Sequence, residues 1–111
     1  MELPGRERVQ IGPAKVRDYL LSRAHPVGRF KAAFFEALGY SGAHWPRLEY
    51  DLRQLASTGE VALGRLTKYG QHYEVCGTLR GPSGRAARVI TIWIVRANEA
   101  TARFITAFPG E

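Results

Sequence analysis

Hydrophobic spacing divides the chain into two halves of different period. In the first half apolar residues recur at helical intervals. Val16, Tyr19 and Leu20 follow Pro13, which can open a helix because its missing N–H is not needed there, and they predict a helix over 13–22. The stretch "RAHPVG" (23–28) breaks that helix, with Pro26 biasing His25 away from the helical region. Phe30, Phe34, Ala37 and Leu38 then predict a second helix over about 28–38, ended by Gly39. Leu48, Leu52 and Leu55 predict a third over about 46–57, opened by Pro46 and stopped at Thr58-Gly59. From residue 60 onward the period drops to two. Strands are expected over 60–67, 71–80, 86–96 and 102–108, joined by "KYG", "GPSG" and "ANEA". Links this short force antiparallel neighbours. The expected fold class is α+β: about three N-terminal helices, then a four-stranded antiparallel β-meander with the helices packed on one face. Residues 1–12 form an N-terminal arm, 13–57 the helical part and 60–108 the sheet of a single domain spanning 1–111.

Side-chain alternation assigns the strand residues to faces. If "GPSG" is a four-residue loop, Arg80 stands opposite Arg85, Tyr73 opposite Ile92, Val75 opposite Ile90 and Leu79 opposite Ala86. These apolar pairs are expected under the helices. With a last turn centred on Asn98-Glu99, Thr91 faces Thr106 and Trp93 faces Phe104. With "KYGQ" closing the first hairpin, Thr67 faces His72 and Arg65 faces Glu74. The second face then collects Arg65, Thr67, His72, Glu74, Thr91, Trp93, Phe104 and Thr106. This reads as an open, semi-polar face with an aromatic residue for stacking. The ordinary solvent side of an antiparallel sheet explains the same pattern, and a one-residue slip would reverse a strand.

Composition narrows the class of protein. At 111 residues, 45% hydrophobic and 11% aromatic, the chain can build one core and is not disordered. No apolar run is long enough to span a bilayer, and "MELPGRERVQ" lacks the apolar middle of a signal peptide, so a cytoplasmic location is expected. Lys and Arg number 16 against 10 Asp and Glu, a net +6, and 13 of the 16 are arginine. That balance favours an anionic partner, nucleic acid first, although an arginine-rich proteome would give the same numbers. The single Cys76 excludes an internal disulfide. His25, His44 and His72 lack metal-ligand spacing, so neither a metal nor another cofactor is expected. There is no phosphate-binding glycine loop, HExxH or nucleophile elbow.

The most distinctive stretch is "HPVGRFKAAFF" (25–35). A histidine able to exchange a proton near neutral pH, followed by cations at Arg29 and Lys31, suits metal-free phosphodiester cleavage. A helix-capping histidine and a lysine lying along a core edge would look the same.

The blocks "KVRDYLL", "HPVGRFKAAFF", "LGY", "YGQHYEV", "VITIWIV" and "RFITAFP", in that order, resemble a bacterial family of small uncharacterised proteins. Its members also occur as terminal domains of polymorphic-toxin-like proteins. The resemblance runs from about Leu3 to Pro109. By its helices-then-meander plan this family is similar to the barnase–EndoU–colicin–RelE group of metal-independent ribonucleases. The resemblance implies a toxin-like ribonuclease with RNA as substrate and a small antitoxin or immunity protein as a possible partner. It implies roles for His25, Lys31, Tyr73, Thr91, Trp93, Arg103 and Thr106. Ala102 stands where the family usually has proline. The expected catalytic set is therefore His25, Lys31, Thr91 and Thr106. The expected substrate-binding set is Trp93, Arg65, His72, Glu74, Arg29 and Arg103. The alternative is a non-catalytic module that binds nucleic acid or protein in a toxin–antitoxin-like pair.

Overall fold

The computed structural model describes residues 1–26 and 28–110, with the Phe30 side chain, expected in the second helix's stripe, outside the described residues. Three helices precede a four-stranded antiparallel meander in the order β1-β2-β3-β4, which is the α+β plan expected. The first helix is short. Its α-helical part, α1, covers Pro13–Lys15 and continues as a π-helical turn over Val16–Leu20. There the Leu21 N–H donates to the Val16 carbonyl at 3.0 Å. This wider turn buries Val16 and Leu20 and leaves Tyr19 only partly covered. Helix α2 covers Arg29–Ala37 and α3 covers Trp45–Thr58. In α2 the buried side is Ala32 and Phe35, continued by Leu38, whereas Ala37 points outward. In α3 Leu48, Leu52 and Leu55 are buried as their spacing requires. The strands are β1 Glu60–Thr67, β2 Gly70–Arg80, β3 Ala86–Arg96 and β4 Arg103–Pro109. The N-terminal arm docks along β4: Gln10 pairs with Arg103 in parallel, and Leu3, Val9 and Ile11 enter the core.

The register of β2 against β3 departs from expectation by one residue, and that reverses β3. Arg80 stands opposite Ala86, so the loop has five residues, Gly81 to Arg85. Gly84 sits at φ 87°, a left-handed conformation that glycine adopts without penalty, and the Gly81 N–H closes the loop on the Arg85 carbonyl at 2.9 Å. Val75 therefore pairs with Thr91 and Tyr73 with Trp93, while Glu74 pairs with Ile92 and His72 with Ile94. Thr91 and Trp93 are both 0% exposed and lie in the core. The indole N–H of Trp93 donates to Thr91 Oγ1 at 2.8 Å, and that hydroxyl donates to the Val75 carbonyl at 2.8 Å. Each buried polar group thus has a partner. Phe104 packs edge-on against Trp93 with centroids 5.3 Å apart.

Two bulges complete the sheet. In β1 the register slips between Leu63 and Leu66, so Ala62 rather than Arg65 stands opposite Glu74 and Thr67 meets Gly70 rather than His72. Between β3 and β4, Trp93 pairs with Phe104 as expected, but the next pair is Ile92 with Thr106. Ile105 is the extra residue. It shifts Thr106 away from the expected position opposite buried Thr91.

Candidate functional site

The β4 bulge and the π turn meet at one place. Lys31 Nζ, from α2, donates to Thr106 Oγ1 at 2.8 Å, and the Tyr19 hydroxyl lies 3.1 Å from the same oxygen. The Lys31 ammonium also sits 5.2 Å from the centroid of the Tyr19 ring and 5.7 Å from that of Phe108. Among the described residues its neighbours are thus a hydroxyl and two aromatic faces rather than a carboxylate. The His25 ring meets the Tyr19 ring edge-on with centroids 5.0 Å apart. Beside this cluster runs an open groove of about 600 Å³, lined by Ala14, Lys15, Asp18, Tyr19, His25, Ile105 and Thr106. Bulges and π turns both re-aim side chains and recur at functional sites.

The loop ahead of α2 is held by a close approach that only glycine permits. A Cβ on Gly28 would lie 1.8 Å from the Tyr19 carbonyl oxygen. The Gly28 N–H donates to His25 Nδ1 at 3.0 Å. That bond needs the Nδ1 lone pair, so the proton of the neutral ring is on Nε2.

Tyr19 carries the perturbed titration of the cluster. Burial pushes its phenol up. Hydrogen bonding to Lys31 and Thr106, together with the charges of Lys31 and Lys15, outweighs burial and brings the phenol below its ordinary value of 10.0. By spacing alone Tyr19 belongs to the apolar stripe of the first helix. The signal that could have found it was its place beside a cation in "KVRDYLL", which says nothing until β4 is set beside it.

The other expected site residues go elsewhere. Thr91 and Trp93 are core residues and cannot touch a ligand, which corrects the open-face assignment. Arg65, His72 and Glu74 do converge, around a hollow of about 280 Å³ with Gly64, Tyr73 and Ile92. Its Arg65, His72 and Glu74 are on β1 and β2, roughly 10 Å or more from β4 at ordinary strand spacing, and its Ile92 lies on β3 between them and Thr106. Arg103 forms a two-pronged ion pair with Glu99, 2.7 Å at its shortest. This bond holds the Glu99 carboxyl below its usual range. Arg29 opens α2 and is exposed. Tyr73 packs against the core.

The fold and groove define a class: an α+β domain whose helices bring a histidine, a tyrosine and a lysine to a threonine at the edge of a meander. The chain matches the family described as Domain of unknown function (DUF6883) over residues 2–111, and it belongs to that family. No curated protein matches it. Among solved structures, it is similar to a chain of a contact-dependent growth inhibition toxin–immunity protein complex from Klebsiella pneumoniae 342. The identity is 22%, with 91% of this chain and 92% of that chain covered at a TM-score of 0.68. That likeness shows a shared fold. Among the described residues no helix is long and apolar enough to cross a membrane.

Proposed function

We propose that the chain is a toxin-like, metal-independent ribonuclease acting on RNA in the bacterial cytoplasm. The observation that carries this reading is the Lys31 ammonium held 2.8 Å from the Thr106 hydroxyl at the wall of an open groove that His25 also lines. A cation fixed by a hydroxyl and aromatic rings is placed to offset charge building on a phosphate. Thr106 supplies a hydrogen bond to a phosphate oxygen, and His25 offers its Nε2 side to the same group. Arg29 and the net charge of +6 draw in the polyanion. The fold shared with a chain of a growth-inhibition toxin–immunity complex supports the toxin part of the reading. No cofactor is required by this set. Incubation of the pure protein with total tRNA and mRNA in EDTA is expected to cleave RNA, and expression is expected to arrest growth. His25→Ala is expected to lower cleavage about 10²-fold or more. Absence of both cleavage and growth arrest overturns the proposal.

A second reading, a protein-binding module in a toxin–antitoxin-like pair, is favoured by the β1 edge. The N-terminal arm covers part of β4, but none of the described residues pairs with the outer side of β1. Leu63, Leu66 and Tyr69 are 61%, 76% and 66% exposed along it, and Arg65 and Lys68 stand among them. Such an edge accepts an added strand, here from an acidic partner such as an immunity protein. Co-expression with a small acidic protein encoded beside it is expected to give a stable complex. Leu66→Lys with Tyr69→Lys is expected to abolish that complex while RNA cleavage persists. A complex indifferent to both changes rules this surface out.

A further inference from the structure

Metal-free cleavage of RNA by its own 2′-hydroxyl needs one group to take the hydroxyl proton and another to give a proton to the leaving 5′-oxygen. His25 does not fill the first role as placed. Its Nδ1 lone pair is taken up by the Gly28 N–H, and in the neutral ring Nε2 carries the proton, so neither nitrogen is set to accept one. We propose that Tyr19 is the general base of the reaction and works as a proton pair with Lys31; this rests on the ribonuclease reading.

Three observations converge on it. The Tyr19 hydroxyl lies at the groove wall, 3.1 Å from Thr106 Oγ1, and Lys31 Nζ holds the same oxygen at 2.8 Å. The charged and titratable groups around the phenol are mostly cationic. Lys15 from its own helical segment lies 5.7 Å from the ring centroid, Lys31 from α2 lies 5.2 Å from it, and His25 meets it from the loop. Among the described residues the carboxylate lining the groove, Asp18, is engaged by Arg17 at 2.8 and 2.9 Å, and β4 contributes Ile105, Thr106 and Phe108. The phenol therefore gives up its proton more readily than an ordinary tyrosine, in line with its lowered titration.

In the step, the phenolate takes the proton of a ribose 2′-hydroxyl. The 2′-oxygen bonds to the adjacent phosphorus and the P–O5′ bond breaks. Its electron pair goes to O5′, which takes a proton from the Lys31 ammonium. The products are a 2′,3′-cyclic phosphate end and a 5′-hydroxyl end. Tyr19 is left as phenol and Lys31 as amine. Transfer of one proton from the phenol to the amine, through the Thr106 hydroxyl that both contact, restores the starting state.

The test is the pH profile of cleavage of a short RNA oligonucleotide in EDTA, for wild type, Tyr19→Phe and the chain with 3-fluorotyrosine at position 19. For wild type, log rate should rise with pH at unit slope, level off below pH 10 and fall again once the acid of the pair has lost its proton. Fluorination, which lowers the phenol titration with almost no change of shape, should move the levelling point down by the difference between the two phenols. Tyr19→Phe should be about 10²–10⁴-fold slower, with unchanged affinity for the all-deoxy oligonucleotide, which cannot be cleaved. If Tyr19→Phe does not fold, the fluorinated chain decides. Cleavage with an unmoved levelling point, or a folded Tyr19→Phe within about tenfold of wild type, overturns the role of Tyr19 and leaves the ribonuclease reading standing. Failure of wild type to cleave any RNA overturns both.

Discussion

Trp93→Ala is expected to destabilise the fold by about 3–5 kcal/mol, as emptying a fully buried aromatic site does. The indole is 0% exposed, meets Phe104 edge-on and has its N–H bound to Thr91. The neighbouring substitution is sharper in what it tests. Thr91→Val keeps the shape but strands the indole N–H in the core, and is expected to cost about 1–3 kcal/mol. Trp93→Phe removes that donor, so adding Thr91→Val to Trp93→Phe should cost less than adding it to wild type, a coupling that a double-mutant cycle measures. Thermal and urea unfolding supply the energies. If Trp93 instead stacked on a base, Trp93→Ala would weaken RNA binding and leave the unfolding midpoint unchanged; that result would refute its place in the core.

The second large effect is expected at Lys31. Lys31→Ala should lower RNA cleavage about 10²–10³-fold, the loss seen when a preorganised charge-stabilising donor is removed. Its unfolding midpoint should move little, because the side chain is only half-buried and ends on the Thr106 hydroxyl. Lys31→Arg separates two roles. It keeps a cation beside Thr106 but cannot release a proton. Near-wild-type affinity for uncleavable RNA with lost turnover is the result expected if Lys31 gives its proton to the leaving oxygen. Full activity in Lys31→Arg restricts the residue to holding charge. Full activity in Lys31→Ala removes the groove as the reaction site.

These residues show why the site was half legible in the sequence. His25 and Lys31 stood out because they share one short segment with a glycine and a helix start. Their partners did not, since Thr106 lies 75 positions from Lys31 and 87 from Tyr19. Thr106 was chosen on parity. Strand alternation sets it opposite Thr91, and the bulge at Ile105 is what moves it to the groove. Arg65, His72 and Glu74 line one hollow, but Ala62 rather than Arg65 stands opposite Glu74 and the hollow is a different part of the sheet.

By itself, the sequence determined the order of helices and strands, the antiparallel meander and most element boundaries. Those depend on local quantities: spacing of apolar residues, proline and glycine punctuation, and loops too short for any crossover. Which face of β3 is buried was decided only by tertiary structure. Ile90, Ile92 and Ile94 on one side and Thr91 and Trp93 on the other are both plausible core faces, so alternation alone leaves two answers. The choice fell to a five-residue loop closed through Gly84, because one residue of register turns every side chain over. The groove has the same origin, since a π turn, a bulge and a close approach at Gly28 each displace a side chain by less than local pattern can resolve.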